Sequence, residues 1–155
     1  MSKHLWLVLV FINFFNFSHA EALCDSDEDL EYSCPLADGT GVINACFNQG
    51  DQKLSIKIGS SMNLKTFKGR YRGDLSGYRF VDISETPEYI PLKFDVGDDH
   101  YGYLFDIKGN SGVYITDSLR REISRYSCAD FSATPFSYKV RKKIKHVEPN
   151  KYEKW

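Results

Sequence analysis

A chain of 155 residues holds one comfortable domain, and 42% hydrophobic with 26% charged residues is a globular composition. Twenty Lys and Arg stand against twenty-one Asp and Glu, so the net charge of −1 removes the electrostatic basis for general nucleic-acid binding. Two-domain architectures and nucleic acid as a partner are thereby disfavoured from the start.

In chain order, residues 1–20 carry Lys3 and His4, then the apolar run from Leu5 to Phe15, then Ser18-His19-Ala20, with small side chains suited to a cut after Ala20. This is the layout of a secretory signal peptide. The run is broken by Asn13 and Asn16 and falls short of the roughly 20 residues that a spanning helix needs. Leu23 directly precedes Cys24, where a lipid-modified cysteine would have a small neighbour. The expectation is a periplasmic or secreted protein without stable membrane insertion. Its mature part divides into a single β domain over residues 21–138 and a basic C-terminal tail over residues 139–155.

Cys24, Cys34, Cys46 and Cys128 form an even set, which in an exported chain reads as two disulfides. Three pairings exist. Cys34 and Cys46 enclose Asp38-Gly39-Thr40-Gly41, a composition that suits a hairpin turn, so Cys34–Cys46 is favoured as a local staple. Cys24–Cys128 then closes the ends of the domain. No metal is expected: there is no C-x-x-C spacing, and His100 and His146 are the only histidines beyond residue 20.

Charge is segregated along the mature chain. Glu21 to Asp51 holds eight acidic and no basic residues, whereas Lys139 to Trp155 holds seven basic and two acidic ones. The Asp-rich start of residues 25–31 suits a helix N-terminus and predicts a short helix there. Beyond it the dominant period is two, the mark of strands with one buried face. Leu54, Ile56 and Ile58 alternate with Lys53, Ser55 and Lys57; Tyr78 and Phe80 oppose Arg79 and Val81; Tyr101, Tyr103 and Phe105 oppose Gly102 and Leu104. Residues 89–96 and 112–116 supply two more strands, with Pro87 and Pro91 moving the first to an edge. Gly50-Asp51, Gly73-Asp74, Gly97-Asp98 and Gly109-Asn110 mark turns, and a second helix is predicted within residues 137–146. The expected class is all-β: a small antiparallel β-barrel or sandwich stapled by two disulfides.

Candidate chemistry is sparse. In Gly97-Asp98-Asp99-His100-Tyr101, carboxylates beside an imidazole would serve a metal- or His-dependent hydrolase, but neighbouring strand residues point to opposite faces, so a polar turn is the expectation. Asp25-Ser26-Asp27-Glu28-Asp29-Leu30 begins like a calcium loop and then fails, with Leu30 where Gly is needed and Leu36 where a bidentate Glu is needed. No catalytic residue and no cofactor is assigned, and the chain reads as a binding protein rather than an enzyme. Tyr71, Tyr78, Phe80, Tyr101, Tyr103, Phe105 and Tyr114 fall on predicted strands, where core packing and cross-strand pairing are expected. An aromatic face left exposed would instead suit a carbohydrate-binding envelope protein or a protein binder.

Four short motifs occur in a telling order: Tyr32-Ser33-Cys34, Ser76-Gly77-Tyr78-Arg79-Phe80, Phe105-Asp106-Ile107-Lys108-Gly109 and Tyr126-Ser127-Cys128. Together they resemble the periplasmic inhibitors of c-type lysozyme found in Gram-negative bacteria. Phe80 replaces a Tyr of that family's S-G-x-x-Y loop, and the Trp of its F-W-x-K-G strand end is missing. The resemblance implies an antiparallel β-barrel whose Ser-bearing loop enters the cleft of the partner enzyme. Ser76 and Lys108 would then be contacts, with Gly77, Tyr78 and Phe80 completing the partner-binding set. The expected partner is a protein, a cell-wall hydrolase or toxin, blocked by an inhibitor or immunity-type protein.

Overall fold

The computed structural model describes residues 22–69, 73, 75–81, 91–107, 110–129 and 136–148. The predicted signal peptide, Tyr71 and Lys108 lie outside them.

Where apolar and polar residues alternate, one face of each strand has somewhere to bury, and the described chain forms ten strands on that principle. Four make one sheet in chain order: β1 (Glu28–Pro35), β2 (Val42–Asn48), β3 (Lys53–Ser60) and β4 (Asn63–Phe67). Six make the other: β5 (Tyr78–Val81), β6 (Leu92–Gly97), β7 (His100–Ile107), β8 (Asn110–Thr116), β9 (Glu122–Ser127) and β10 (Lys145–Val147). In space the order is β10-β5-β6-β7-β8-β9, antiparallel throughout except that β10 runs parallel to β5. The sheets do not close on each other, so of the two expected architectures the sandwich is found and the barrel is not.

The core lies between the sheets. The four-stranded sheet contributes Tyr32, Ile43, Ala45, Phe47, Leu54, Ile56 and Ile58; the six-stranded sheet contributes Tyr78, Phe80, Leu92, Phe94, Leu104, Val113 and Ile115. Opposite Phe94 the register places Gly102, and a Cβ there would come within 2.2 Å of the Phe94 ring. That glycine makes room for an aromatic ring lying flat across its neighbour strand.

Both disulfides form, but with partners other than those favoured from the sequence: Cys24–Cys46 and Cys34–Cys128. The hairpin around residues 36–41 does exist, with Pro35 opposite Val42 and Cys34 opposite Ile43. Its register leaves Cys46 opposite Leu30, and strand alternation turns Cys46 to the outer face while Cys34 shares the inner face with Tyr32. Two sulfurs on opposite faces of a sheet cannot bond. Cys34 therefore reaches across the core to Cys128, and Cys24 folds over the outer face to Cys46.

The first predicted helix does not form, and the second forms for one turn only. Residues 28–31 belong to β1 because their carboxylates find partners across the sheet: Glu28 accepts from Lys57 Nζ at 2.8 Å, and Asp29 accepts from Gln49 Nε2. A bulge at Glu31 interrupts the β1–β2 ladder between Leu30 and Tyr32. Residues 137–146 give one helical turn, α1 (Tyr138–Arg141), and then β10. Val140 in this helix and Ile144 just beyond it are buried in the core, and His146 lies with its ring centroid 5.3 Å from that of Phe80. Through Val147, then, the basic C-terminal stretch is packed onto the domain.

The two staples close loops of different length, 94 and 22 residues. On the chain-entropy model these contribute about 4–5 and about 3 kcal/mol. We expect Cys34→Ala/Cys128→Ala to lower the unfolding free energy by about 1 kcal/mol more than Cys24→Ala/Cys46→Ala, as read from denaturant titrations. Equal losses would mean that the inter-sheet staple does not restrict the unfolded chain as its length requires.

Candidate functional site

Immediately before β5, Leu75–Gly77 makes one tight helical turn. Strand alternation then drives Tyr78 and Phe80 inward and leaves Arg79 outward. Tyr78 is fully buried, donates its hydroxyl to the Leu54 carbonyl at 2.5 Å, and has its phenol pKa pushed up by that burial. Phe80 packs edge-on against Phe136 with centroids 5.8 Å apart. Of the residues expected to contact a partner, Tyr78 and Phe80 are thus core residues. Their burial anchors the segment and leaves Ser76, Gly77 and Arg79 to face outward.

These three form one wall of an open groove of about 200 Å³, completed by Lys93, Phe94, Asp95 and Tyr101 from β6 and β7. Arg79 Nη1 donates to the Tyr78 carbonyl at 2.6 Å and to the Ser76 carbonyl, which ties the turn to the strand. Across the groove, Lys93 Nζ lies 4.8 Å from the centroid of the Tyr101 ring and 5.6 Å from that of Tyr103. The groove therefore offers a guanidinium, an ammonium, a carboxylate and a phenol around a small apolar floor, an arrangement for recognising polar groups.

Beyond the groove, the same outer face carries further aromatics, of which Tyr103 and Phe105 are buried and Tyr101 and Tyr114 half-buried. Tyr101, Tyr103, Phe105 and Tyr114 all point to this side, because Gly102, Leu104, Val113 and Ile115 take the inner positions. Tyr103 and Tyr114 stack at 4.8 Å and 11°, the cross-strand pairing that was expected, though on the opposite face. Arg120 donates to the Tyr103 hydroxyl at 2.6 Å, and the Arg125 guanidinium lies 5.5 Å from the Tyr114 centroid.

The other candidates do not assemble. His100 Nδ1 sits 3.3 Å from the Gly97 carbonyl, at the end of a turn in which Asp98 and Asp99 both adopt positive φ of 49° and 59°. That is the polar turn, not a convergent pair of ligands. Among the described residues Cys24, Glu28 and Cys46 come together, but the two sulfurs are bonded to each other and offer no thiolate to a metal. Lys108 lies outside the described residues.

Four carboxylates of the acidic N-terminal run, Asp25, Asp27, Glu28 and Asp29, are engaged within the fold. Lys57, nearly buried on the outer face of β3, donates to Asp25 and Glu28 at 2.8 Å each, while Asp27 accepts from Asn48 Nδ2 at 2.7 Å. Burial opposes the Lys57 charge, but hydrogen bonds and attraction from the two carboxylates outweigh it and raise the ammonium pKa. Reciprocally, Asp25 is lowered by its hydrogen bond from Lys57. Asp117 is lowered by the backbone N–H of Arg121, and Glu122 by the Arg125 side chain.

A depressed carboxylate contributes stability above its unfolded pKa and loses it as pH falls through the lower folded value. Stability is therefore expected to hold from neutral pH down to about 5 and to fall progressively below about 4. Lys57→Met should weaken the fold by about 1–2 kcal/mol at neutral pH and flatten the part of that acid limb owed to Asp25. Urea midpoints at stepped pH check both; an unchanged limb in the variant would remove Lys57 from this role.

Comparison with family models, with curated proteins and with solved structures gives no match to this chain.

Proposed function

We propose that this chain is an exported, non-enzymatic binding protein that takes a protein partner at the groove beside the Ser76–Gly77 turn. The partner in this reading is a cell-wall hydrolase of the lysozyme type, met in the periplasm. One observation carries the reading: Ser76 and Gly77 line the groove while the next residues, Tyr78 and Phe80, are locked into the core. A turn fastened in this way enters a cleft with little left to order, which limits the entropy lost on association. The resemblance to lysozyme inhibitors singles out the same turn. Two disulfides suit an oxidising compartment, and among the described residues no helix is long and apolar enough to cross a membrane.

The test is a peptidoglycan-lysis assay in which the oxidised protein is added to a panel of lysozymes and other wall hydrolases. Inhibition of at least one enzyme is expected. Ser76→Trp, whose ring would occupy much of a groove of about 200 Å³, should raise the inhibition constant at least about 100-fold while preserving the circular dichroism spectrum. Absence of inhibition across the panel overturns the hydrolase assignment. Full inhibition by folded Ser76→Trp overturns the groove assignment.

A further inference from the structure

The two disulfides sit in different surroundings. Cys34–Cys128 is enclosed by the core, with both residues buried. Cys24–Cys46 lies on the outer face of the four-stranded sheet, where Cys24 is half-buried, and a carboxylate oxygen of Glu28 stands within 4.8 Å of both sulfurs. The N-terminal segment over this face has ties besides the sulfur bond. Leu23 N donates to Asn44 Oδ1 at 2.7 Å, and Lys57 Nζ donates to Asp25 and Glu28 at 2.8 Å each. Asp25 and Glu28 also close a turn, with Glu28 N on the Asp25 carbonyl at 3.0 Å and Asp25 N on Glu28 Oε2 at 2.9 Å. Cys24 is thus fastened through both of its chain neighbours, so breaking the sulfur bond leaves two thiols and Glu28 facing one another.

We propose that Cys24, Cys46 and Glu28 form a redox-gated site for zinc or a similarly thiophilic divalent cation, closed as a disulfide and opened by a dithiol reductant. The inference goes beyond the inhibitor reading and does not depend on it. One thiolate of the reductant attacks Cys24 Sγ, the less buried partner, and Cys46 leaves as a thiolate. The reductant's second thiolate then attacks the mixed disulfide and releases Cys24. The two electrons gained by the cysteines are those the dithiol loses in forming its own disulfide, and its two protons pass to the cysteine pair. Metal binding expels those protons again, since the thiolate is the ligand. With Zn–S bonds of about 2.3 Å in tetrahedral geometry, two ligating sulfurs stand about 3.8 Å apart. Cα atoms 5.4 Å apart allow that spacing by side-chain rotation. Glu28 Oε2 is occupied by Lys57 and Asp25 N, whereas Oε1 has a 3.5 Å contact from Ser55 Oγ and is the oxygen turned to the metal's use. A fourth position is left to water, as in open zinc sites. Two thiolates with the Asp25 and Glu28 carboxylates outweigh the Lys57 ammonium, so the local field favours a dication.

The oxidised protein, recovered by export, is treated with increasing dithiothreitol, and its free thiols are alkylated and located by mass spectrometry. Cys24 and Cys46 are expected to be labelled before Cys34 and Cys128, with the circular dichroism spectrum preserved. After anaerobic removal of the reductant, cobalt(II) should give a thiolate charge-transfer band at a single ion per chain, and zinc should displace it. The oxidised protein should give no band. Cys24→Ser/Cys46→Ser should abolish it, Asp51→Asn should leave it unchanged, and Glu28→Gln should weaken zinc binding at least about tenfold, the loss that even an outer partner of a ligand causes. Labelling of all four cysteines together, or loss of the fold on reduction, overturns the gate. A folded, reduced chain that gives no cobalt band overturns the metal site, and unchanged zinc affinity in Glu28→Gln overturns the three-ligand assignment in favour of simple dithiol capture. None of these results bears on hydrolase inhibition, which the lysis assay reads with the oxidised protein.

Discussion

Cys34 sits on the inner face of the first strand and reaches through the core to Cys128 just after β9, and the rest of the molecule follows from that crossing. It joins the two sheets covalently at one end, where the backbone of Leu36 also bridges to that of Cys128 and the Tyr32 hydroxyl lies 3.3 Å from the Cys128 sulfur. A second tie between sheets comes from the Tyr78 hydroxyl on the Leu54 carbonyl. With the sheets held face to face, each strand must sort its side chains into one buried and one outward set. The outward set of the six-stranded sheet is where the groove arises.

The two faces turned away from the core are treated differently. Over the four-stranded sheet the N-terminal segment folds back, fastened by Cys24–Cys46 and by Asp25 and Glu28 on Lys57. Asp25 and Glu28, from the acidic N-terminal run, hold this cover in place. The six-stranded sheet instead presents Arg79, Lys93, Arg120 and Arg125 among tyrosines. A net charge of −1 for the whole chain gives no sign of this local concentration of cations.

For recognition, the consequence is a rigid platform. Binding residues carried on strands and on a short turn pinned by buried aromatics are placed more reproducibly than residues on long loops. The Ser76–Gly77 turn owes its position to Tyr78 and Phe80, which act through the core and not through contact with a partner.

Strand content, the β1–β2 turn and the number of disulfides were legible in the chain, since each depends on local composition or on a period of two. Residues 25–31 were misread as a helix, and the helix read over residues 137–146 stops at Arg141, because the partners that hold these segments as strands, Lys57, Gln49 and β5, lie far away in sequence. Disulfide partners and the faces of Tyr101, Tyr103, Phe105 and Tyr114 were likewise out of reach. Alternation says that two sets of side chains oppose each other, but when Gly102 and Leu104 stand against three aromatics it does not say which set is inside. Only the packing of one sheet against another decides that, and only the folding of the N-terminal segment over the outer face brings Cys24 and Glu28 beside Cys46.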